Sequence, residues 1–330
     1  MEGGRKSEVG GKKANFKKSC YLLLDTRYSM HNKKNMKYIQ TIILILCYTI
    51  AFSQSKQKDE TMLVDGLKRK FTSYVPAIKD KSRKMPLVIS IHGGLASPKG
   101  QFHLADFRPL ADTDQFMVIC PGSHRVFHDE KEDANSESFV DDVKSIDQII
   151  TYAIDTYNAD PQRIYVTGIS NGGFLTSRVA CELSKRIAAI AVVAATMDSN
   201  EGYAPVRPMP VIYIHGSKDP VFSGKGGNFF GKKFYSFDNV LKVWATLDGC
   251  DLKPAITRIP DLAKDSTSIV KEEYTNPKNG LKVIGYNIIG GGHTWPGGWQ
   301  YLPKFIVGKT SKNLNACKEI WTFFKQYSLN

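Results

Sequence analysis

The chain has only six cysteines in 330 residues, no Pro/Ser/Thr-rich linker and no visible internal repeat. The last two absences exclude a solenoid and a string of modules on flexible tethers. The apolar stretch Ile42 to Phe52 falls short of the roughly 20 residues that a bilayer-spanning helix needs. There is no basic stripe interleaved with stacking aromatics, so the sequence implies no nucleic-acid partner. The acidic cluster Asp129, Glu130 and Glu132 lacks the alternate-position spacing and central glycine of a calcium loop, and it reads as a solvated loop beside the substrate mouth.

What is present is unevenly distributed. The net charge is +13, and residues 1–53 carry ten Lys/Arg against three Asp/Glu, or +7, which leaves +6 for the rest. Residues 1–35 are Lys- and Gly-rich without sustained apolar periodicity, and read as a disordered extension or a misassigned start. Residues 36–53 combine a lysine, a short apolar core and a small-residue exit at Ser53, which is the pattern of a secretory signal peptide. Cleavage there would leave residues 54–330 as one domain in a secreted or periplasmic setting, with no stable membrane association. Four cysteines lie in that part: Cys120, Cys181, Cys250 and Cys317. Export permits a disulfide, and Cys250 with Cys317 is the pairing suggested because each lies in or beside a late helix. Four buried free thiols are an equally open reading.

The motif with the most chemistry in it runs from Arg163 to Gly173. Ile164, Tyr165 and Val166 read as a buried strand and Asn171 to Cys181 as a helix, which puts Ser170 on the turn between them. Gly168 and Gly172 flank the serine at the two positions where a side chain would collide, the layout of a nucleophile elbow. Strand and helix alternate around it. Thr61 to Pro76 reads as a hairpin turning at Asp65-Gly66. Strands are expected over 86–91, 115–120, 187–195, 210–215, 268–275 and 281–289, and helices over 140–157, 236–247 and 314–327. This order implies an α/β fold with a mostly parallel central sheet and helices on both faces.

A serine hydroxyl needs a base, and the base needs an orienting carboxylate. His293 follows the last strand in a Gly-rich loop, and Asp219 lies just beyond the strand 210–215. Ser170, Asp219 and His293 thus stand in the chain order Ser, acid, His of an α/β-hydrolase triad. His215, beside the acid, is the weaker candidate base. The strand 86–91 ends in His92-Gly93-Gly94, whose backbone could face an oxyanion, with the second donor being the main-chain amide of Asn171 and the first drawn from Gly93, Gly94 or Leu95. Trp295 is expected at the pocket rim, and His92 and Phe127 near the substrate.

The segments Asp65-Gly66-Leu67-Lys68-Arg69, His92-Gly93-Gly94, Gly168-Ile169-Ser170-Asn171-Gly172-Gly173, His215-Gly216-Ser217-Lys218-Asp219-Pro220 and Gly292-His293-Thr294-Trp295-Pro296-Gly297 together resemble the family of polyhydroxybutyrate depolymerases and feruloyl or acetylxylan esterases. The resemblance runs from about Met62 to the final helix. It implies the α/β-hydrolase fold, a secreted serine carboxylic ester hydrolase without metal or organic cofactor, and Ser170, Asp219 and His293 as its triad. Feruloyl or acetyl esters on plant polysaccharide are the expected substrates, with 3-hydroxybutyrate oligomers as the alternative. A non-catalytic carbohydrate-binding protein on the same scaffold is the reading from another class. Two departures stand out. Relatives often carry a tryptophan after the position of Pro121, where Phe127 is the one aromatic before Ser138. Relatives with a disulfide often place a second cysteine between acid and base, and none lies between Cys250 and His293.

Overall fold

Buried on both faces, a strand must be apolar at nearly every position, and the centre of this molecule is built from three such runs and the buried second half of a fourth strand. In the computed structural model, which describes residues 56–77, 80, 82–123, 141–199, 204–229 and 232–329, they are β3 (Met85–Ile91), β5 (Ala159–Ile169), β6 (Ala189–Val193) and β7 (Val211–Gly216). The extension 1–35, the signal-like segment 36–53 and Phe127 with its acidic neighbours lie outside the described residues. With β1 (Lys56–Val64), β2 (Leu67–Val75), β4 (Met117–Pro121), β10 (Ala255–Ile259), β11 (Ser268–Thr275) and β12 (Lys282–Ile289), the central strands form one ten-stranded sheet. Its order is β1-β2-β4-β3-β5-β6-β7-β12-β11-β10. Pairing is parallel from β4 through β12 and antiparallel at both margins. A separate two-stranded ribbon joins β8 (Gly227–Phe229) and β9 (Lys232–Phe234).

Because successive strand residues point to opposite faces, each buried strand feeds two cores. Leu87, Ile89, Val166, Val192 and Tyr213 meet α3 (Asp142–Tyr157), α4 (Asn171–Glu182) and α5 (Phe237–Leu247) on one face, where Val143, Leu175 and Trp244 complete the packing. Val88, Tyr165, Ala191 and Ile214 meet Phe102 of α1 (Pro98–Leu104) and Trp321 and Phe324 of α7 (Ala316–Phe324) on the other. The short helices α2 (Arg108–Asp114) and α6 (Lys304–Val307) complete the helices among the described residues. None of the described helices is long and apolar enough to cross a membrane.

The two cores settle the cysteines. Cys250 packs against the first cluster and Cys317 lies within the second, so the sheet separates them. The pairing suggested from sequence is therefore corrected: the four cysteines of the described residues are free. A disulfide needs Cα atoms within about 7 Å of each other, which positions on opposite faces of a sheet do not offer.

One carboxyl in the first core is out of keeping with its surroundings. Asp248 ends α5 with only 1% of its surface exposed. Its Oδ1 accepts the Met209 amide at 2.7 Å, while Oδ2 has no partner. Burial pushes its pKa up to about 7, against the pull of that amide and of Arg207. Below about pH 7 the folded protein keeps this proton, whereas the unfolded chain loses it near pH 4. Raising the pH through that window therefore favours unfolding, by up to about 4 kcal/mol for a shift of about three units. An asparagine at this position could still accept from Met209 without carrying charge. Asp248→Asn is thus expected to flatten the loss of stability between pH 5 and pH 8. Urea midpoints of the two proteins at both pH values check this, and parallel pH profiles would refute it.

Candidate active site

The serine turn is built by steric exclusion. Ser170 sits between β5 and α4 with φ 55° and ψ −124°, a conformation that few non-glycine residues adopt. A Cβ on Gly168 would run into the backbone of Gly172, and one on Gly172 into the carbonyl oxygen of His92. Only hydrogen at both positions lets the helix start this close to the strand. The turn is pinned by the Ser170 amide donating to Val193 O at 2.9 Å, and by Ser170 O accepting from the amides of Gly173 and Phe174 at 2.8 and 3.0 Å. Helix α4 thus begins at Asn171, with its N-terminus turned to the serine.

The sheet register brings the neighbouring strand ends level. Ile169 pairs with Val193, Val193 with Ile214, and Ile214 with Tyr286, so the chain leaves β5, β6, β7 and β12 along one edge. Asp219 lies four residues past His215 on β7, and His293 four past the end of β12. Their loops are stitched together where the Ser217 amide donates to Ile288 O and the Lys218 amide to Gly291 O, both at 2.9 Å. The result is a contact of 2.7 Å between His293 Nδ1 and Asp219 Oδ2. The other carboxylate oxygen accepts the amides of Val221 and Phe222 at 2.8 and 2.7 Å, and the Asp219 side chain is wholly buried.

The backbone of His293 is held as firmly as its ring. Its amide donates to Val307 O at 2.6 Å, and its carbonyl accepts the Tyr301 hydroxyl at 2.8 Å. Burial, with the charge of Asp219 adding to it, pushes Tyr301 up to about 12, so the phenol remains a donor. The sequence reading missed this tyrosine, since a hydroxyl bonded to a backbone carbonyl leaves no motif. His215 is nearly fully buried, with Nε2 3.0 Å from Phe222 O and 3.6 Å from Asp219 Oδ2. Burial lowers its pKa, and a neutral imidazole there braces the acid loop rather than facing solvent.

The turn after β3 lies against the serine: a Cβ on Gly93 would be 3.4 Å from that of Ser170. Gly93 O accepts the Ala96 amide at 3.3 Å, and His92 Nδ1 lies 2.7 Å from it. Leu95 has φ 60° and is 96% exposed. His92 itself is buried to 1%, and burial lowers its pKa. It shapes the Gly93-Gly94 turn from below and is not part of an open substrate surface, which corrects the expectation from sequence. Trp295 is corrected in the same way. It is 1% exposed, meets Phe107 edge-on at 6.2 Å and belongs to the second core, because the chain turns inward after His293.

No family model matches the chain. Among curated proteins it is 32% identical over 170 residues to NocK of Nocardia uniformis subsp. tsuyamanensis, named provisionally as an esterase; the match spans 48% of this chain and 49% of that protein. It is 30% identical over 184 residues to feruloyl esterase B of Piromyces equi, spanning 51% of this chain and 32% of that protein. The chain therefore covers about half, or less, of the length of these relatives. Among solved structures it superposes on an acetyl xylan esterase from Aspergillus awamori with a TM-score of 0.52 at 18% identity, covering 72% of this chain and 94% of that one. By sequence the chain is a relative of proteins named feruloyl and acetylxylan esterases, and its fold is that of the α/β-hydrolases.

Proposed function

We propose that the protein is a secreted serine esterase that cleaves feruloyl or acetyl esters carried on plant polysaccharide. The observation that carries this reading is the His293–Asp219 contact of 2.7 Å, set along the same sheet edge as the strained Ser170 turn. In this reading Ser170 Oγ attacks the ester carbonyl and His293 Nε2 takes its proton. Asp219 accepts from Nδ1, fixing the tautomer and stabilising the imidazolium that forms. The tetrahedral oxyanion is held by the amide of Asn171 and by one from the turn of Gly93, Gly94 and Leu95. Collapse expels the alcohol with the proton from His293, leaving an acyl-enzyme that water resolves by the same relay.

The names of the relatives support the acyl classes, and the signal-like segment 36–53 supports export. The test is hydrolysis of methyl ferulate, acetylated xylan and a 3-hydroxybutyrate oligomer by the purified protein. Turnover of the first or second, lost with the serine, is the expected result. Turnover of the third alone would move the acyl assignment to hydroxyalkanoates. A folded protein that turns over none of the three and resists an organophosphonate at Ser170 would overturn the enzyme reading in favour of a binding protein.

A further inference from the structure

A cavity of about 390 Å³ opens between the base loop, α1 and α7. Its size falls within the range of small-ligand sites, about 300–1,000 Å³. Trp299 lines it and stands 55% exposed, an indole left at the surface where most large aromatics of this chain are packed. Trp295 forms an inner wall; it is 1% exposed, and its indole N–H meets no oxygen acceptor, with only the weakly accepting sulfur of Cys317 beside it.

The remaining lining is amphoteric. Asp106 is held in place by a two-pronged contact with Arg108 at 2.8 and 2.9 Å, and keeps carboxylate lone pairs to spare. Lys312 spends one of its protons on Gly298 O at 2.6 Å. Asn315 uses its oxygen to cap α7 through the Lys318 amide at 3.0 Å, which leaves its amide protons to give. One flat apolar platform, an acceptor and two kinds of donor match a sugar ring. Such a ring presents an apolar C–H face to an indole and vicinal hydroxyls, each both donor and acceptor, to the edge.

We infer that this cavity is a carbohydrate subsite, which takes one sugar ring of the polysaccharide bearing the ester, stacked on Trp299. Trp299 follows His293 by six residues, which can extend over no more than about 22 Å. The ring held here is therefore a few units along the same chain from the esterified one. This inference rests on the proposed esterase function for its biological meaning, but the cavity can be tested without it.

The experiment is titration of the full-length protein with an unesterified xylo-oligosaccharide by calorimetry, for wild type, Trp299→Ala and Trp299→Phe. The KM for a feruloylated xylo-oligosaccharide, divided by that for methyl ferulate, is measured beside it. Expected are binding by wild type, a loss of about five- to tenfold in Trp299→Ala with partial recovery in Trp299→Phe, and a rise of the KM ratio by a similar factor. No binding by wild type, or equal binding and an equal KM ratio in Trp299→Ala, would overturn the subsite. If no ester is hydrolysed, the proposed function fails while the titration still decides the cavity.

Discussion

Replacing Ser170 by alanine is expected to lower ester turnover by at least about 10³-fold and to leave the fold intact. The contacts that build the turn belong to the backbone: the Ser170 amide on Val193 O, and Ser170 O receiving Gly173 and Phe174. Alanine keeps all three and meets the same strain at φ 55°, so the melting temperature should move by no more than a few degrees. What disappears is the oxygen that would form the acyl-enzyme. Substrate would still be positioned, and the oxyanion donors would still act on direct attack by water, so a residual rate above background is expected with little change in KM. Steady-state kinetics on methyl ferulate with a parallel thermal melt make the measurement. A mutant at wild-type rate would remove Ser170 from the chemistry, and one that fails to fold would leave kinetics uninformative but phosphonate labelling of the wild type decisive.

The sheet was legible in the sequence where burial is two-sided. The runs at 86–91 and 210–215 contain too few polar residues for any other use, and β3 and β7 lie there within one residue at either end. Strand ends were misjudged where the chain is polar. β5 starts at Ala159, five residues before Ile164, because the polar run from Asp160 to Arg163 continues the strand although it lacks the apolar residues that mark one. β1 starts at Lys56 because a sheet margin tolerates charged residues that look like a loop. Helices α1 and α2 have seven residues each, too few for a helical period to emerge, although Ser97-Pro98 is a readable start and the Ser97 hydroxyl does cap α1.

The candidate site divides along the same line. Asp219 and His293 could be named because both follow strand ends, and the register of β7 against β12 makes those ends neighbours. The direction of a loop side chain could not be read. Trp295 and His92 stand in glycine-rich motifs that look functional, yet their side chains turn into the protein, where they support the loops that carry His293 and Gly93. The buried pair of Arg69 and Asp142 was half legible: a carboxylate in the first turn of α3 suits the helix dipole, while the side chain of Asp142 meets Arg69 across 73 residues of sequence. Local pattern sees helix ends and strand faces, and it is blind to pairs formed only by tertiary packing.

Asp219→Asn is expected to lower kcat by about 10⁴-fold with the protein folded and KM little changed. The geometry gives the reason atom by atom. One oxygen of Asp219 receives the amides of Val221 and Phe222, and two donors can be met only by an acceptor, so an asparagine would keep its carbonyl there. Its amide group would then face His293 Nδ1, now 2.7 Å from Oδ2, and offer a proton where the carboxylate accepts one. The imidazole would have to present a bare Nδ1 and carry its hydrogen on Nε2, the atom that takes the serine proton in the proposed relay. The imidazole would stay in the wrong tautomer, and the charge that would steady its imidazolium would be gone. Kinetics on methyl ferulate, with imidazole proton resonances to identify the tautomer, test both halves of the argument. A rate within about tenfold of wild type would mean that the proton relay does not depend on this carboxylate. The contact with His293 would then hold the loop together, as Tyr301 does from the other side.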